Sequence, residues 1–394
     1  MIALDLPSSG PAAALRRAVE EVGQTADGRV GEIEDLRRLP DDVSRDLVDS
    51  GLARAWAPAR YGGLELPVLD VLDALEAVAY HEGSTAWCGM IAATTSILGG
   101  YLPERWAAAI YGDPRAVTGG HAAPLGRARP VEGGLVVTGH WQWGSGAFHC
   151  THIGGGTLLV GADGQPAARA DGLRAPFVLF EPDQVELLDT WFAVGLRGSG
   201  STDYRVAEAF VPEGRWAEII GQQPVAAGPL YRFPFFGALA LGVCSVSLGL
   251  ARRALDELAT LAQDKRYAQS TRPMATRAVV QAEVAGAEAG YRSARALLRG
   301  TVGEAWGAVT HGHTLGPEQR RLLRLAATNA STTSAAVVDR LFRVAGGAAV
   351  YSTSTLQRVW RDVNVASQHA MVAPRTYELV GRMFLGQSSD ISQL

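Results

Sequence analysis

A tryptophan and a serine stand at the end of one predicted strand, in the run Trp143-Gly144-Ser145-Gly146. The preceding residues, from Gly133, are aliphatic and then alternate as Trp141-Gln142-Trp143, which is typical of a half-buried strand. Two glycines around one hydroxyl leave backbone N–H groups accessible to a flat ligand. The indole of Trp143 could pack on a planar heteroaromatic ring, and Ser145 could bond its polar edge. A tight turn beside a core tryptophan is the alternative interpretation.

Histidines are the second kind of residue here that could do chemistry. His369 follows Asp362 on a predicted helix at a spacing of two helical turns, so both should project from nearly one face. Imidazole exchanges protons near neutral pH, so His369 could serve as an acid or a base. A histidine whose hydrogen bonds are satisfied inside a helical bundle would have the same sequence context.

Composition and charge exclude several classes of protein. The 394 residues carry a net charge of −4 without a basic block, so a nucleic-acid partner is not expected. Neither a CxxC nor an HExxH pattern is present, so no metal site is predicted. Cys88, Cys150 and Cys244 are too few and too far apart for a disulfide framework, which favours a reducing cytoplasm. We find no signal sequence and no apolar run of membrane-spanning length, so no membrane partner is expected.

The elements that must position these residues fall into three parts. Residues 1–115 show helical patterns, at 11–35, 68–80 and an unusually apolar stretch at 84–98. Residues 116–222 form short apolar runs divided by Gly, Pro and Asp, which predicts an antiparallel β domain. Residues 223–394 return to long helices at 236–263, 276–299, 318–344 and 358–385, which predicts a four-helix bundle.

This order of parts, together with five motifs, resembles the acyl-CoA dehydrogenase fold. The motifs are PARYGG, the Trp143-Gly144-Ser145 corner, VGLRGSGSTDYRVAEAFVP, Gly346-Gly347 and Arg361-Asp362. The resemblance implies an α+β fold with an N-terminal helical domain, a central antiparallel β-barrel or sandwich, and a C-terminal four-helix bundle. It also implies two possible chemistries, because the fold hosts both dehydrogenases and monooxygenases.

The residues around the expected catalytic base distinguish the two chemistries. Dehydrogenases of the family carry a carboxylate shortly after the Arg-Asp pair or on an earlier bundle helix, whereas here VNVASQHAMVAP follows Arg361-Asp362 and no acid lies within 228–253. The chain is more similar to the group D two-component flavin-dependent monooxygenases, which hydroxylate phenols, steroid-derived rings or indoles. The similarity rests on Trp143 to Gly146, on Leu196 to Ser201 and on His369. Gly144 departs from the serine that many relatives have.

The resemblance implies a role for each candidate residue. His369 would face the reactive edge of the flavin, and Ser145 would bond the flavin N5–H. Trp143 and Gly144 are implied to touch the flavin, and Trp87 is implied to touch the substrate. His121 is implied to touch either the flavin or the substrate. Residues implied to bind the adenine-diphosphate part across a subunit interface are Arg266, Gln281, Gly346 and Gly347. A turn hydroxyl, solvated helix arginines and a plain helix break are the structural alternatives.

The resemblance also implies the reaction and the partners. Reduced FAD, or FMN, would be supplied by a separate NAD(P)H:flavin reductase, because nothing in the sequence looks like a nicotinamide site. Oxygen would then pass through a flavin hydroperoxide to an aromatic or polycyclic metabolite, in a homotetramer or homodimer. The alternatives are an acyl-CoA dehydrogenase with a displaced base, an N- or S-oxygenase of the same fold, and a flavin-free scaffold that binds partners.

Overall fold

The computed structural model of the chain describes residues 9–268 and 270–394. The first eight residues, on which the expectation of no signal sequence depends, lie outside the described residues. Among the described residues, six α-helices precede the sheet, and they are α1 (Pro11–Asp27), α2 (Val30–Leu36), α3 (Asp41–Asp49), α4 (Val68–His81), α5 (Gly83–Ser96) and α6 (Glu104–Tyr111). The helix predicted over 11–35 is therefore two helices, because α1 ends just before Gly28.

Helix α5 is buried along almost its whole length, as its apolar composition predicts. The side chain of Glu82 caps its first turn by accepting hydrogen bonds from the backbone N–H groups of Ser84 and Thr85, at 3.0 and 2.6 Å. These bonds satisfy amide groups that a helix leaves without partners, so the start of α5 is fixed. The helix thereby holds Trp87 in the interior.

The central part is one seven-stranded sheet in the order β5-β6-β2-β1-β3-β4-β7. Its strands are β1 (Thr118–Val131), β2 (Gly134–Gly144), β3 (His152–Leu159), β4 (Phe177–Phe180), β5 (Glu186–Leu188), β6 (Thr202–Pro212) and β7 (Trp216–Ala217). A hairpin joins β1 to β2 through Gly133, whose φ of 76° suits glycine. The expectation of a fully antiparallel unit is wrong at one pair, since β1 and β3 run parallel.

The C-terminal part consists of α7 (Pro229–Arg232), α8 (Phe235–Asp264), α9 (Ala278–Thr310), α10 (Pro317–Ala345), α11 (Thr355–Ala366) and α12 (Thr376–Phe384). Two of the four long helices, α8 and α10, begin and end close to their predicted residues. Helix α9 begins close to residue 276, as predicted, but continues to Thr310, well beyond the predicted end at residue 299. The fourth, predicted over 358–385, is wrong because a turn separates α11 from α12. Pro374 lies in that turn, and its ring cannot donate the hydrogen bond that a continuous helix needs.

Helix α8 corrects the expectation that no apolar run is long enough to span a membrane. It is long and apolar enough by length and composition, with a window of mean hydropathy 1.7, yet 89% of that window is buried inside the protein. Helix α8 is therefore the core helix of the bundle. One hydrophobic cluster contains residues of α8, of α4 and of α5, so the N-terminal helices and the bundle share a core. The division into domains 1–115, 116–222 and 223–394 stays a prediction.

Candidate functional site

A chain of hydrogen bonds joins α5 to the end of β2. The indole N–H of Trp87 donates to the Ser145 hydroxyl at 3.0 Å, and both residues are 6% exposed. The Ser145 and Ser201 hydroxyls are 2.6 Å apart, and the Ser201 and Ser199 hydroxyls are 2.7 Å apart. If Ser145 donates to Ser201, its oxygen accepts from Trp87 and keeps one lone pair for a ligand N–H. The arrangement therefore orients an acceptor at this corner.

The side chain of Trp143 does not share the buried face of Trp141, contrary to the predicted alternation. Trp141 is fully buried, whereas 58% of Trp143 is exposed. The β2–β6 register shifts between Trp141 and Gly144, and Trp143 has a φ of 60°. A bulge that turns one residue outward explains this, because it breaks the period of two. The exposed indole lies 5.8 Å from the His121 ring, centroid to centroid.

Gly144 has a packing reason to be glycine. A Cβ atom placed there would lie 2.8 Å from the Tyr204 ring and 3.1 Å from the Thr202 carbonyl oxygen. Since Tyr204 is fully buried and stacked on Trp141, the ring cannot give way. The serine that many relatives have at this position would not fit the present packing.

His121 is held at both its backbone and its ring. Its N–H donates to the Tyr204 hydroxyl at 2.9 Å, and its ring Nδ1 lies 2.9 Å from the Gln142 carbonyl oxygen. A carbonyl oxygen only accepts, so Nδ1 carries the proton and Nε2 keeps its lone pair. Burial lowers the pKa of His121 below its usual value, although the bond to Gln142 opposes this shift. His121 therefore presents a neutral acceptor.

His369 lies beyond the end of α11, in the turn before α12, so the prediction that it projects from one helix face with Asp362 is wrong. Its ring meets the Trp87 ring edge-on at 5.7 Å between centroids. The backbone N–H of Met371 donates to its Nδ1 at 3.3 Å, so the neutral ring carries its proton on Nε2. Burial, helped by His121 and Arg324, lowers the pKa of His369 to about 4.

The two histidines therefore offer opposite hydrogen-bonding groups, a donor and an acceptor, to the same region. His369 holds a proton at Nε2, whereas His121 offers a lone pair at Nε2. They are near enough for a charge on one to disfavour protonation of the other. With Trp143 beside His121 and Trp87 beside His369, the structure brings together six candidates, which are Trp87, His121, Trp143, Gly144, Ser145 and His369.

The buried carboxylates nearest this region are used for structure. Asp362 accepts a hydrogen bond from the Leu196 N–H at 2.6 Å and thereby ties α11 to the loop of residues 194–201. Glu82 caps α5. Desolvation, with the charge of Glu82, raises the pKa of Asp362 to about 7. Within the described residues, no carboxylate contributes to the pKa shift of His369.

The remaining four candidates form a second group at another part of the bundle. Arg266 donates to the carbonyl oxygens of Thr271 and Asp264, and Gln281 donates to that of Ala275. The neighbouring Lys265 ammonium bonds the carbonyl oxygen of Ala345, which places this loop beside Gly346 and Gly347. Both glycines are exposed, and a Cβ added to either would meet open space. That this group binds part of a flavin across a subunit interface stays a prediction.

Comparisons with known proteins identify the family of this chain. Residues 241–374 match the family model described as "Acyl-CoA dehydrogenase, C-terminal domain". The indole-3-acetate monooxygenase of Pseudomonas putida is 33% identical over 365 residues, covering 91% of this chain and 90% of that protein. This chain belongs to the flavin-dependent monooxygenases of the acyl-CoA dehydrogenase fold.

Two further relatives extend the likeness to function and structure. The oxygenase subunit HsaA of a flavin-dependent monooxygenase from Mycobacterium tuberculosis is 28% identical and covers 91% of this chain and 92% of its own. The structure of XiaF from a Streptomyces species, in complex with FADH2 and glycerol, superposes with a TM-score of 0.89 at 25% identity. It covers 96% of this chain and 97% of XiaF. The chain is thus a flavoprotein monooxygenase by family.

Sequence reasoning missed the residues that support the corner. Ser199, Ser201 and Tyr204 orient Ser145 and His121 by hydrogen bonds. The alternation of glycine and serine from Gly198 to Ser201 was an available signal, because small residues permit the close approach of two loops. The Nε atom of Arg197, in the same loop, is buried with no hydrogen-bond partner among the described residues.

Proposed function

We propose that this chain is the oxygenase component of a two-component system, in which a separate NAD(P)H:flavin reductase supplies reduced flavin. The naming of the Mycobacterium relative as an oxygenase subunit supports a separate partner. FAD is the flavin to test first, because XiaF binds FADH2, and FMN is the alternative. The substrate is aromatic or polycyclic, with indole-3-acetate as the first compound to test. The enzyme acts in the cytoplasm as a homotetramer or homodimer.

The corner at the end of β2 fits a flavin ring. The exposed indole of Trp143 provides a flat apolar surface, and such aromatic pairs contribute about 0.5–1.5 kcal/mol beyond buried area. Ser145 provides a lone pair for the ring N5–H. The buried Nε of Arg197 provides a further donor without a partner in the described chain. A bound reduced flavin supplies the electrons with which O2 is activated for transfer of one oxygen atom.

The two histidines manage protons at that ring. His369 would donate a hydrogen bond from Nε2 to oxygen bound beside the flavin ring, and its low pKa keeps it neutral at neutral pH. His121 would accept at Nε2 a hydrogen bond from the hydroxyl or ring N–H of the substrate, which enriches the aromatic ring in electrons. Trp87 packs on the His369 ring and fixes its position.

One observation carries this proposal: the ionisable side chain beside Trp87 and Ser145 is the imidazole of His369. The neighbouring carboxylates of Asp362 and Glu82 instead accept hydrogen bonds from backbone amides. An imidazole suits proton donation to oxygen, whereas dehydrogenation of an acyl thioester needs a carboxylate beside the α-carbon.

The test is His369→Ala in enzyme loaded with reduced FAD and mixed with O2 and indole-3-acetate. General acid–base groups contribute roughly 100- to 10,000-fold. We therefore expect the hydroxylated product per O2 consumed to fall sharply, with hydrogen peroxide accounting for the difference. His311→Ala is the matched control, because His311 lies in an exposed turn after α9.

Full coupling of oxygen use to product in His369→Ala would remove the assigned role. Bleaching of the oxidised flavin by an acyl-CoA thioester would instead identify a dehydrogenase with a displaced base. Oxygen transfer to a nitrogen or sulfur substrate in place of a ring carbon would identify an N- or S-oxygenase. Binding of neither oxidised nor reduced flavin would identify a scaffold.

A further inference from the structure

Arg324 on α10 is a buried cation that nothing in the reaction described above uses. It is 4% exposed. Its Nη2 donates to the Gln393 carbonyl oxygen at 2.5 Å and lies 3.5 Å from the Met371 sulfur. Its Nε is buried without a hydrogen-bond partner among the described residues. Nε and Nη2 form one edge of the guanidinium, so half of that edge is unused and the other half holds a neutral carbonyl.

Among the other buried arginines of the described chain, Arg215 and Arg358 are neutralised by an acid, whereas Arg54 has no acid partner and bonds two carbonyl oxygens through Nη2. The Nε atoms of Arg54, Arg215 and Arg321 are also buried without a hydrogen-bond partner among the described residues. Arg215 pairs with Glu181 at 2.5 Å, and Arg358 pairs with Asp27 at 3.0 Å. On α10 itself, Arg321 pairs with Glu318 at 3.2 Å. Desolvation is the one cause that lowers the pKa of Arg324, to about 10, so no acid compensates it. An isolated buried charge is costly, and a bound anion would offset that cost.

Arg324 adjoins the proposed reaction centre. The Met371 sulfur that contacts its Nη2 belongs to the residue whose N–H bonds His369 Nδ1. The charge of Arg324 also acts on the His369 ring. An anionic group bonded to Arg324 would therefore sit on the α10 side of His369, while the ring of the same molecule approaches Trp87 and His121.

We propose that Arg324 anchors the substrate by a carboxylate, so that the enzyme acts on aromatic carboxylic acids. A carboxylate matches the planar edge of a guanidinium with two parallel hydrogen bonds, one to the unused Nε and one to Nη2 in place of the Gln393 carbonyl. The carboxylate also supplies the negative charge that no acid of the described chain provides beside Arg324. This inference rests on the proposed oxygenase function and names the substrate class for that site.

Direct binding tests the anchor without relying on turnover. Equilibrium dialysis of FAD-loaded protein compares indole-3-acetate with indole-3-acetamide, which keeps the ring and loses the charge. Wild type should prefer the acid. Arg324→Met should weaken binding of the acid roughly 10- to 150-fold, the range for a charge-assisted hydrogen bond, and leave the amide unchanged. Arg321→Met is the control on the same helix, because its acid partner is Glu318.

A second variant keeps the test informative if Arg324→Met does not fold. Arg324→Lys retains the charge without the planar guanidinium, so its affinity for the acid should fall between those of wild type and Arg324→Met. Equal binding of acid and amide by wild type, or equal loss of both in Arg324→Met, would overturn the anchor. If wild type hydroxylates a neutral aromatic without preferring the acid, the oxygenase function stands and the anchor fails. If wild type prefers the acid but transfers no oxygen to it, the anchor stands and the oxygenase function fails.

Discussion

Acidification should destabilise the folded chain through His369, by an amount that its surroundings set. Burial, together with His121 and Arg324, lowers the pKa of His369 from 6.5 to about 4. Between these values the unfolded chain binds more protons than the folded chain, so the free energy of unfolding falls as the pH falls. The difference corresponds to about 3 kcal/mol, at about 1.4 kcal/mol per pH unit.

Urea unfolding of flavin-free protein, from about pH 7 to about pH 4, measures this contribution. His369→Gln removes the titrating group, so the stability gap between wild type and His369→Gln should shrink by about 3 kcal/mol across the window. Asp362 also has a shifted pKa, but both proteins contain it, so its effect cancels in the difference. The charge of His121 acts on His369, so the difference reports the titration of His369 together with that interaction. His311→Gln, on an exposed turn, controls for histidine replacement itself.

Parallel stability curves for wild type and His369→Gln would refute the reasoning. They would mean that the imidazole is as well hydrated in the folded chain as in the unfolded one. His369 could not then be the desolvated, neutral proton donor that the proposed reaction requires.

Three other outcomes follow from the same site. Trp87→Phe and Ser145→Ala should show a coupling of about 1 kcal/mol in a double-mutant cycle of urea unfolding, because their hydrogen bond is buried, and additive effects would contradict it. Trp143→Ala should weaken reduced FAD roughly tenfold in anaerobic titration, with stability changed by less than about 0.5 kcal/mol, since the indole is largely exposed. Asp362→Asn keeps an acceptor for the Leu196 N–H and removes a buried charge, so unfolding free energy at neutral pH should not fall; a loss above about 2 kcal/mol would argue against this.

The sequence predicted the large elements well where local patterns decide them. Helices α8 and α10 lie where periodicity places them, and α9 begins where it predicts. It failed at Trp143 and at His369. The bulge in β2 depends on pairing with β6, and such a long-range contact does not appear in a local pattern. The turn after α11 contains Pro374, a local signal that helical periodicity alone does not include.

The amino-acid sequence by itself determined the family, the helix–sheet–helix order and the candidates at the flavin corner, because spacing and side-chain type are local properties. Only the tertiary structure decided how these residues are used. Hydrogen bonds from distant elements set the His121 and His369 tautomers, and burial makes His369 a neutral donor. Burial without an acid partner likewise distinguishes Arg324 from the other arginines of α10, since desolvation is a property of the packed chain.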